Sequence, residues 1–193
     1  KGEYDLAIKE FRTFLDENPS DIDVLVDLGK IYLKKEEYDL AMPEFEKAHD
    51  AGIDTAELHL GLSKIYSEMG RFDLALNEAK KSGCGTDDGH IRIGRLYRRM
   101  GEYDESIKEL RKAQSMNPSN AQVHANLGWT YRDKGEYDLA IEEFVTALEK
   151  DPSNGDLHVD LGKIYIKEKE YGLAMREFEK AHDAGIDTAE LHM

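Results

Sequence analysis

Histidine is the residue whose type and spacing first suggest chemistry in this chain. It recurs at intervals of 31 or 34 residues, at His59, His90, His124, His158 and His192. A zinc site needs ligands that converge within about 2.0–2.3 Å of one point. Because each stretch of that length holds one histidine, successive histidines are separated by packed helices, and each helix contact adds about 8–10 Å. We therefore predict that these histidines pack between elements and bind no metal.

The stretch from Ser82 to His90 is the most irregular part of the sequence. It holds the single cysteine, Cys84, among several glycines. A cysteine with a nearby histidine suggests a nucleophile, but no third member accompanies the two. The stretch also lacks the Gly-Lys-Ser/Thr ending of a phosphate-binding loop. A helix that ends at Gly83 and a tight turn account for the glycines, so we predict no catalytic residue, no cofactor and no enzyme activity.

Basic residues crowd the middle of the chain. Four arginines fall within one short stretch and a fifth follows near the only tryptophan: Arg92, Arg95, Arg98, Arg99, Arg132 and Trp129. Spacings of three and four place Arg92, Arg95 and Arg99 on one face of a helix. Guanidinium groups bind carboxylates through two hydrogen bonds, and Arg and Trp are enriched in binding hot spots. The alternative is that the arginines pair with acidic residues of neighbouring helices and that Trp129 packs internally.

These residues sit on a repeated pattern that runs through the chain. Aromatic residues recur at intervals of 34, 34, 31, 34 and 34, at Tyr4, Tyr38, Phe72, Tyr103, Tyr137 and Tyr171. A self-similar period of this length indicates stacked structural repeats. Arrays of this kind present an extended surface to a partner.

Each repeat has the pattern of two helices. Apolar residues recur three and four apart, and a Gly or Ser recurs inside the first helix, which suggests that another helix passes close by. Proline after Asn18, Asn117 and Asp151 ends the second helix. The turn before that helix carries a regularly placed aspartate. We predict these aspartates as its N-caps: Asp5, Asp39, Asp73, Asp104 and Asp138.

Paired helices every 34 residues, with small residues where they cross, resemble the tetratricopeptide repeat family. The resemblance implies an all-α fold, a right-handed superhelical solenoid of antiparallel helix pairs spanning residues 1–193. It divides the chain into a partial unit, five complete units and the start of another, with these limits: 1–21, 22–55, 56–86, 87–120, 121–154, 155–188 and 189–193.

The same resemblance implies that the first helices line a concave groove. Its partner-binding positions would be Lys30, Lys64, Arg92, Arg95, Arg98, Arg99, Asn126, Trp129, Arg132 and Lys163. Some members of the family clamp the terminal carboxylate of chaperones with Lys and Asn at fixed positions. Those positions carry other residues here, apart from Asn126, so we do not expect that clamp.

The sequence contains a longer duplication as well. Residues 1–60 align with 134–193, with 44 of 60 positions identical by direct count. We expect the chain to be a segment of a larger repeat protein. Two alternatives to a binding scaffold therefore stay open. The array could self-associate end to end, because such contacts propagate, or it could be a targeting arm of a larger enzyme.

The charge balance limits the partner. There are 41 acidic and 26 basic residues, a net charge of −15. This charge disfavours nucleic acid and an anionic membrane surface. A basic row on an acidic chain indicates electrostatic recognition. We predict a scaffold that binds a protein or an extended acidic peptide, with no nucleic acid or membrane partner.

Overall fold

The computed structural model describes residues 2–19, 21–52, 54–83 and 85–186, and within these ranges the secondary structure is helical, without strands. Eleven helices lie in this part of the chain: α1 (Gly2–Glu17), α2 (Ile22–Lys34), α3 (Tyr38–Asp50), α4 (Ala56–Glu68), α5 (Phe72–Lys81), α6 (Asp87–Met100), α7 (Tyr103–Met116), α8 (Ala121–Lys134), α9 (Tyr137–Lys150), α10 (Gly155–Lys167) and α11 (Tyr171–Asp183). The predicted all-α fold class is confirmed. Cys84, His192 and the predicted unit start at 189–193 lie outside the described residues.

The helices pack in consecutive pairs. A turn of two or three residues joins each of α2, α4, α6, α8 and α10, here called first helices, to the second helix that follows it. The paired helices lie against each other, so the chain reverses within each pair. The chain divides into an N-terminal half, residues 1–85, and a C-terminal half, residues 86–193. The unit limits given above remain predictions.

Each half has a hydrophobic core of its own, around Phe45 in the N-terminal half and Phe144 in the C-terminal half. The recurring small residue of the first helix lies against this core. A Cβ added to Gly29 would come within 2.9 Å of the Phe45 ring, and one added to Gly128 would collide with Phe144. The small residue therefore makes room mainly for a bulky side chain of a second helix, rather than for a helix backbone. Ser63 differs, because its hydroxyl donates a hydrogen bond to the Ala75 carbonyl at 2.8 Å.

The turn inside each pair is held by one repeated hydrogen bond. The residue before the second helix donates its backbone N–H to the carbonyl of a tyrosine in the first helix, as from Glu136 to Tyr131 at 2.9 Å. A residue with positive φ makes this reversal possible. It is glycine in three turns, but Glu36 and Lys169 adopt φ of 61° and 63° in the other two.

The predicted N-caps were wrong. Asp39, Asp73, Asp104 and Asp138 are the second residues of their helices, and Asp5 lies within α1. The tyrosine turn sets the start of the second helix two residues earlier than predicted, and the aspartates instead lie in the first turn, near the positive end of the helix dipole. Side-chain caps occur on the first helices: Asp21, Thr55, Thr86, Asn120 and Asn154. A short polar residue before each apolar stretch was the signal for these caps.

Within the described residues, no helix is both long enough and apolar enough to cross a lipid bilayer.

Candidate protein-binding surface

Ion pairs link the three first helices of the C-terminal half. Arg98 of α6 donates to Asp133 of α8 at 2.8 Å. Arg132 of α8 donates to Asp160 of α10 at 2.6 Å and also contacts Asp133. Burial lowers the pKa of the Arg132 guanidinium, but Asp160 and Asp133 outweigh burial and leave that pKa raised. Arg98 and Arg132 are thus engaged inside the protein, as the internal-pairing alternative predicted.

Trp129 is anchored in the same network. Its indole N–H donates to Asp160 at 2.6 Å, beside the bond from Arg132. The Arg98 guanidinium lies 5.9 Å from the ring centroid, at cation–π distance. The ring also contacts Phe144, edge to face, at 6.3 Å between centroids. The ring is half-buried, so it packs against the core and still offers a face to the surface.

A cavity of about 480 Å³ opens beside Trp129. Arg95 and Asn126 line it, with Gln122, Ala125 and Leu157 among the other walls. Asn126 is only 2% exposed, and its amide nitrogen donates to the Gln122 carbonyl at 2.7 Å. Its Oδ1 atom accepts no hydrogen bond from the described residues. Arg95 is exposed and has no side-chain partner among the described residues. The cavity therefore combines an unpaired cation with an unsatisfied acceptor.

The predicted basic positions outside the cavity differ in their surroundings. Arg92 pairs with Asp88 at 2.6 Å, one turn earlier in α6. Lys163 is exposed and unpaired among the described residues, and Arg99 is exposed in the last turn of α6. The structure brings Arg98, Trp129 and Arg132 together around Asp160 and Asp133, and it places Arg95 with Asn126 in the cavity.

In the N-terminal half, Lys30 of α2 contacts Asp27 at 2.8 Å and Glu57 of α4 at 2.6 Å. Burial lowers the pKa of Lys30, while these carboxylates raise it, and the net direction is upward. Lys64 is exposed and, within the described residues, unpaired. It lines a cavity of about 580 Å³ with Lys30 and Phe11.

The histidines form a feature that sequence reasoning missed. The four described members of the recurring series each pair through Nδ1 with a glutamate 19 residues later, on the second helix of the same pair. The N–O distances lie between 2.6 and 2.8 Å for His59–Glu78, His90–Glu109, His124–Glu143 and His158–Glu177. The recurring glutamate was the available signal. The histidines were predicted to pack between elements, and in the structure each of these four forms a hydrogen bond between two helices. No group of three residues that could hold a metal ion occurs in the described part of the chain.

Two of these glutamates, Glu78 and Glu109, are held as carboxylates by their neighbours. Burial alone would raise the pKa of Glu78, but bonds from Lys81 and His59 lower it below the ordinary glutamate value. Glu109 has a lowered pKa for the same reasons, with Lys112 and His90 as its partners. The repeated pairs therefore join the two helices of each repeat by a short hydrogen bond.

The helix pairs, their turns and the small-residue packing define the class of this protein. The tetratricopeptide repeat model TPR_16 matches residues 1–55 and 91–154, and TPR_19 matches residues 131–193. The chain belongs to the tetratricopeptide repeat family, and like other arrays of these repeats it is a protein–protein interaction scaffold. Among curated protein sequences, none matches this chain significantly.

Solved structures share the fold. A tetratricopeptide repeat protein from Parabacteroides merdae superposes with a TM-score of 0.86 at 18% identity, over 99% of this chain and 77% of its own. MamA gives 0.67 at 23% identity, over 84% and 97%. YrrB, described as having an unusual peptide-binding site, gives 0.63 at 19% identity, over 90% and 91%. At these identities the likeness concerns the fold alone.

Proposed function

We propose that this scaffold binds an extended acidic peptide or protein segment on the first-helix face of its C-terminal half, and that it is not an enzyme. The observation that carries the proposal is the cavity in which Arg95 stands unpaired beside the unsatisfied Asn126 Oδ1. A buried acceptor without a donor costs about 1–3 kcal/mol. A ligand that supplies an N–H group removes this cost on binding.

The chemistry of the cavity suits a peptide. An extended main chain carries an N–H group that can donate to Asn126 Oδ1, while an acidic side chain pairs with Arg95 through two hydrogen bonds. The Trp129 ring and the side chains of Ala125 and Leu157 provide apolar contact. YrrB is described as a peptide-binding protein of this fold, which agrees with a peptide ligand.

The other basic residues have secondary roles in this proposal. Arg98 and Arg132 are occupied by Asp133 and Asp160, so they hold the surface in shape rather than anchor the ligand. Lys64 and Lys163 are exposed and attract an acidic ligand from a distance. Because the chain carries a net charge of −15, we expect association to be sensitive to salt. Nucleic acid is not a partner in this proposal.

The test is a selection from a random peptide library, followed by titration of the selected peptides against Trp129 fluorescence. We expect peptides rich in Asp and Glu. Arg95→Glu and Asn126→Ala should each weaken binding at least about tenfold, the effect of about 1.4 kcal/mol. Arg176→Glu is the matched control, because it makes the same charge change on an exposed second helix. Equal binding by Arg95→Glu and wild type would rule out this cavity as the ligand site.

Self-association is the second candidate. On α11, Tyr171 and Met175 are 65% and 64% exposed. The matching residues of α3, Tyr38 and Met42, pack against the N-terminal core. An exposed apolar face of this kind can take a second copy of the chain. A mass that rises with concentration in wild type, but not in Met175→Glu, would support this candidate, and a constant monomer mass would exclude it.

A role as the targeting arm of a larger enzyme is a third candidate function, which the sequence of the full-length gene would test.

A further inference from the structure

One aligned position, at the last residue of the first helix or directly after it, carries a different residue from one repeat to another. The five copies have Lys35, Met69, Met100, Lys134 and Glu168. Lys35 and Glu168 correspond in the duplication of residues 1–60 and 134–193, so one copy carries the opposite charge of the other. This position lies at the far end of the first helix from its N-cap.

Where the residue is lysine, it fills a gap between two carboxylates. The Lys134 ammonium lies 2.9 Å from Asp104 of the preceding second helix and 2.7 Å from Glu136. Lys35 makes the same two contacts, with Asp5 at 2.8 Å and Glu37 at 3.0 Å. The hydrogen bonds that both lysines donate to these carboxylates raise the pKa of the lysines. Two repeats thus show how this arrangement of carboxylates holds an ammonium group.

In the last copy the carboxylates remain and the ammonium is missing. Asp138 and Glu170 correspond to the two carboxylates, and Glu168 stands where the lysine would be. None of the three has a side-chain partner among the described residues. A cavity of about 360 Å³ opens here, lined by Asp138, Glu168, Glu136, Tyr137 and the exposed Leu139.

The nearby cations, Lys134, Lys167 and Lys169, do not line this cavity. Lys134 is held by Asp104 and Glu136. Lys167 donates to the Tyr137 hydroxyl at 3.0 Å and lies 5.2 Å from that ring. Lys169 adopts positive φ and makes no ion pair within the described residues. Among the described residues, no lysine or arginine lines the Asp138–Glu168 cavity.

We propose that the Asp138–Glu168 cavity binds a lysine or arginine side chain of a partner protein, in the place that Lys35 and Lys134 take in other repeats. The charged head would lie between Asp138 and Glu168, and its aliphatic stem would lie along Leu139. This surface lies at the turn before α9 and the end of α10, away from the Arg95 cavity, and it selects the opposite charge. The inference goes beyond the proposed function and does not depend on it.

A charge-restoring substitution provides the first test. Glu168→Lys should bridge Asp138 and Glu170 as Lys134 bridges Asp104 and Glu136. We expect the melting temperature to rise by about 1–3 °C, as for one surface ion pair in a chain of this size. Glu179→Lys, the same change at an exposed site on α11, is the control and should leave the melting temperature unchanged. No rise for Glu168→Lys would contradict the proposed geometry.

A binding measurement provides the second test. The probe is an acetylated, amidated peptide Ala-Leu-Lys-Leu-Ala, titrated against the backbone amide NMR signals of residues 135–139 and 168–170. We expect saturable shifts there, lost with norleucine in place of lysine and lost in Glu168→Lys. Signals around Arg95 should not move. Absence of lysine-dependent shifts would overturn the proposal. So would shifts that calcium chloride reproduces and the peptide does not, because these would indicate a metal ion instead.

Discussion

The first and last complete helix pairs have nearly the same sequence and different surroundings. Phe45 of α3 is fully buried, and it meets Gly29 of its own pair and Gly61 of the next first helix. Phe178 is the matching residue of α11, and it meets Gly162 of its own pair but is only half-buried. Among the described residues no first helix follows α11. The comparison shows that the following first helix completes the burial of a second helix.

The largest effect expected from this comparison is that of truncating the two phenylalanines. Phe45→Ala should lower the free energy of unfolding by about 3–5 kcal/mol, because the side chain is fully enclosed. The loss of unfolding free energy in Phe178→Ala should be smaller than that in Phe45→Ala by about 1–2 kcal/mol, because part of the Phe178 ring already faces solvent. Urea denaturation of each variant measures both values. Equal losses would show that the two rings are equally covered in solution.

The second test concerns the histidine–glutamate pairs. The first pair has Leu25 where later pairs have histidine, and its Glu44 is bonded by Lys47. His59→Leu would reproduce this arrangement and leave Glu78 with Lys81 and the longer hydrogen bond from Asn77. We expect a loss of about 1–3 kcal/mol in unfolding free energy, the range for a buried charged hydrogen bond. A neutral result would mean that an apolar contact replaces the bond without cost.

The same histidine–glutamate pairs should make the free energy of unfolding depend on pH in the acid range. The pKa values of Glu78 and Glu109 are lowered in the folded protein, so their stabilising effect is present above the ordinary glutamate pKa and is lost as pH falls through the folded values. We expect unfolding free energy to decline below about pH 4.5. The decline should be shallower in His90→Leu, which removes one of the two groups that lower the pKa of Glu109. Matching pH profiles for that variant and wild type would contradict this explanation.

The smallest expected effect concerns the turns. Glu36 and Lys169 occupy the left-handed conformation that glycine occupies in the other three turns. Glu36→Gly and Lys169→Gly should each stabilise the protein by about 0.5–1 kcal/mol, because glycine adopts this conformation without the strain of a side chain. Thermal unfolding of both variants measures the gain. A loss in either would show that the side chain makes a stabilising contact.

The sequence made much of the fold predictable, because the determining signals are local. The 34-residue period, the helix pairs and the crossing glycines follow from residues a few positions apart, as with Gly128 and the second helix that follows it. The N-caps of the second helices were predicted wrongly, because the tyrosine turn sets the start of each of these helices. That turn depends on a hydrogen bond between Glu136 and Tyr131 and on a positive φ, which neighbouring residue types did not indicate.

The candidate site was predictable only in outline. The sequence indicated that Arg95, Arg98 and Arg132 share a region, but their pairing depends on helices packed side by side. Arg98 meets Asp133 across 35 residues, and Arg132 meets Asp160 across 28. Each histidine likewise meets its glutamate across 19 residues, on a separate helix. By itself the sequence determined the repeat, its period and the kinds of residue on each helix. Only the tertiary structure decided which charges are satisfied, because the distance between two charged groups is set by how the helices pack.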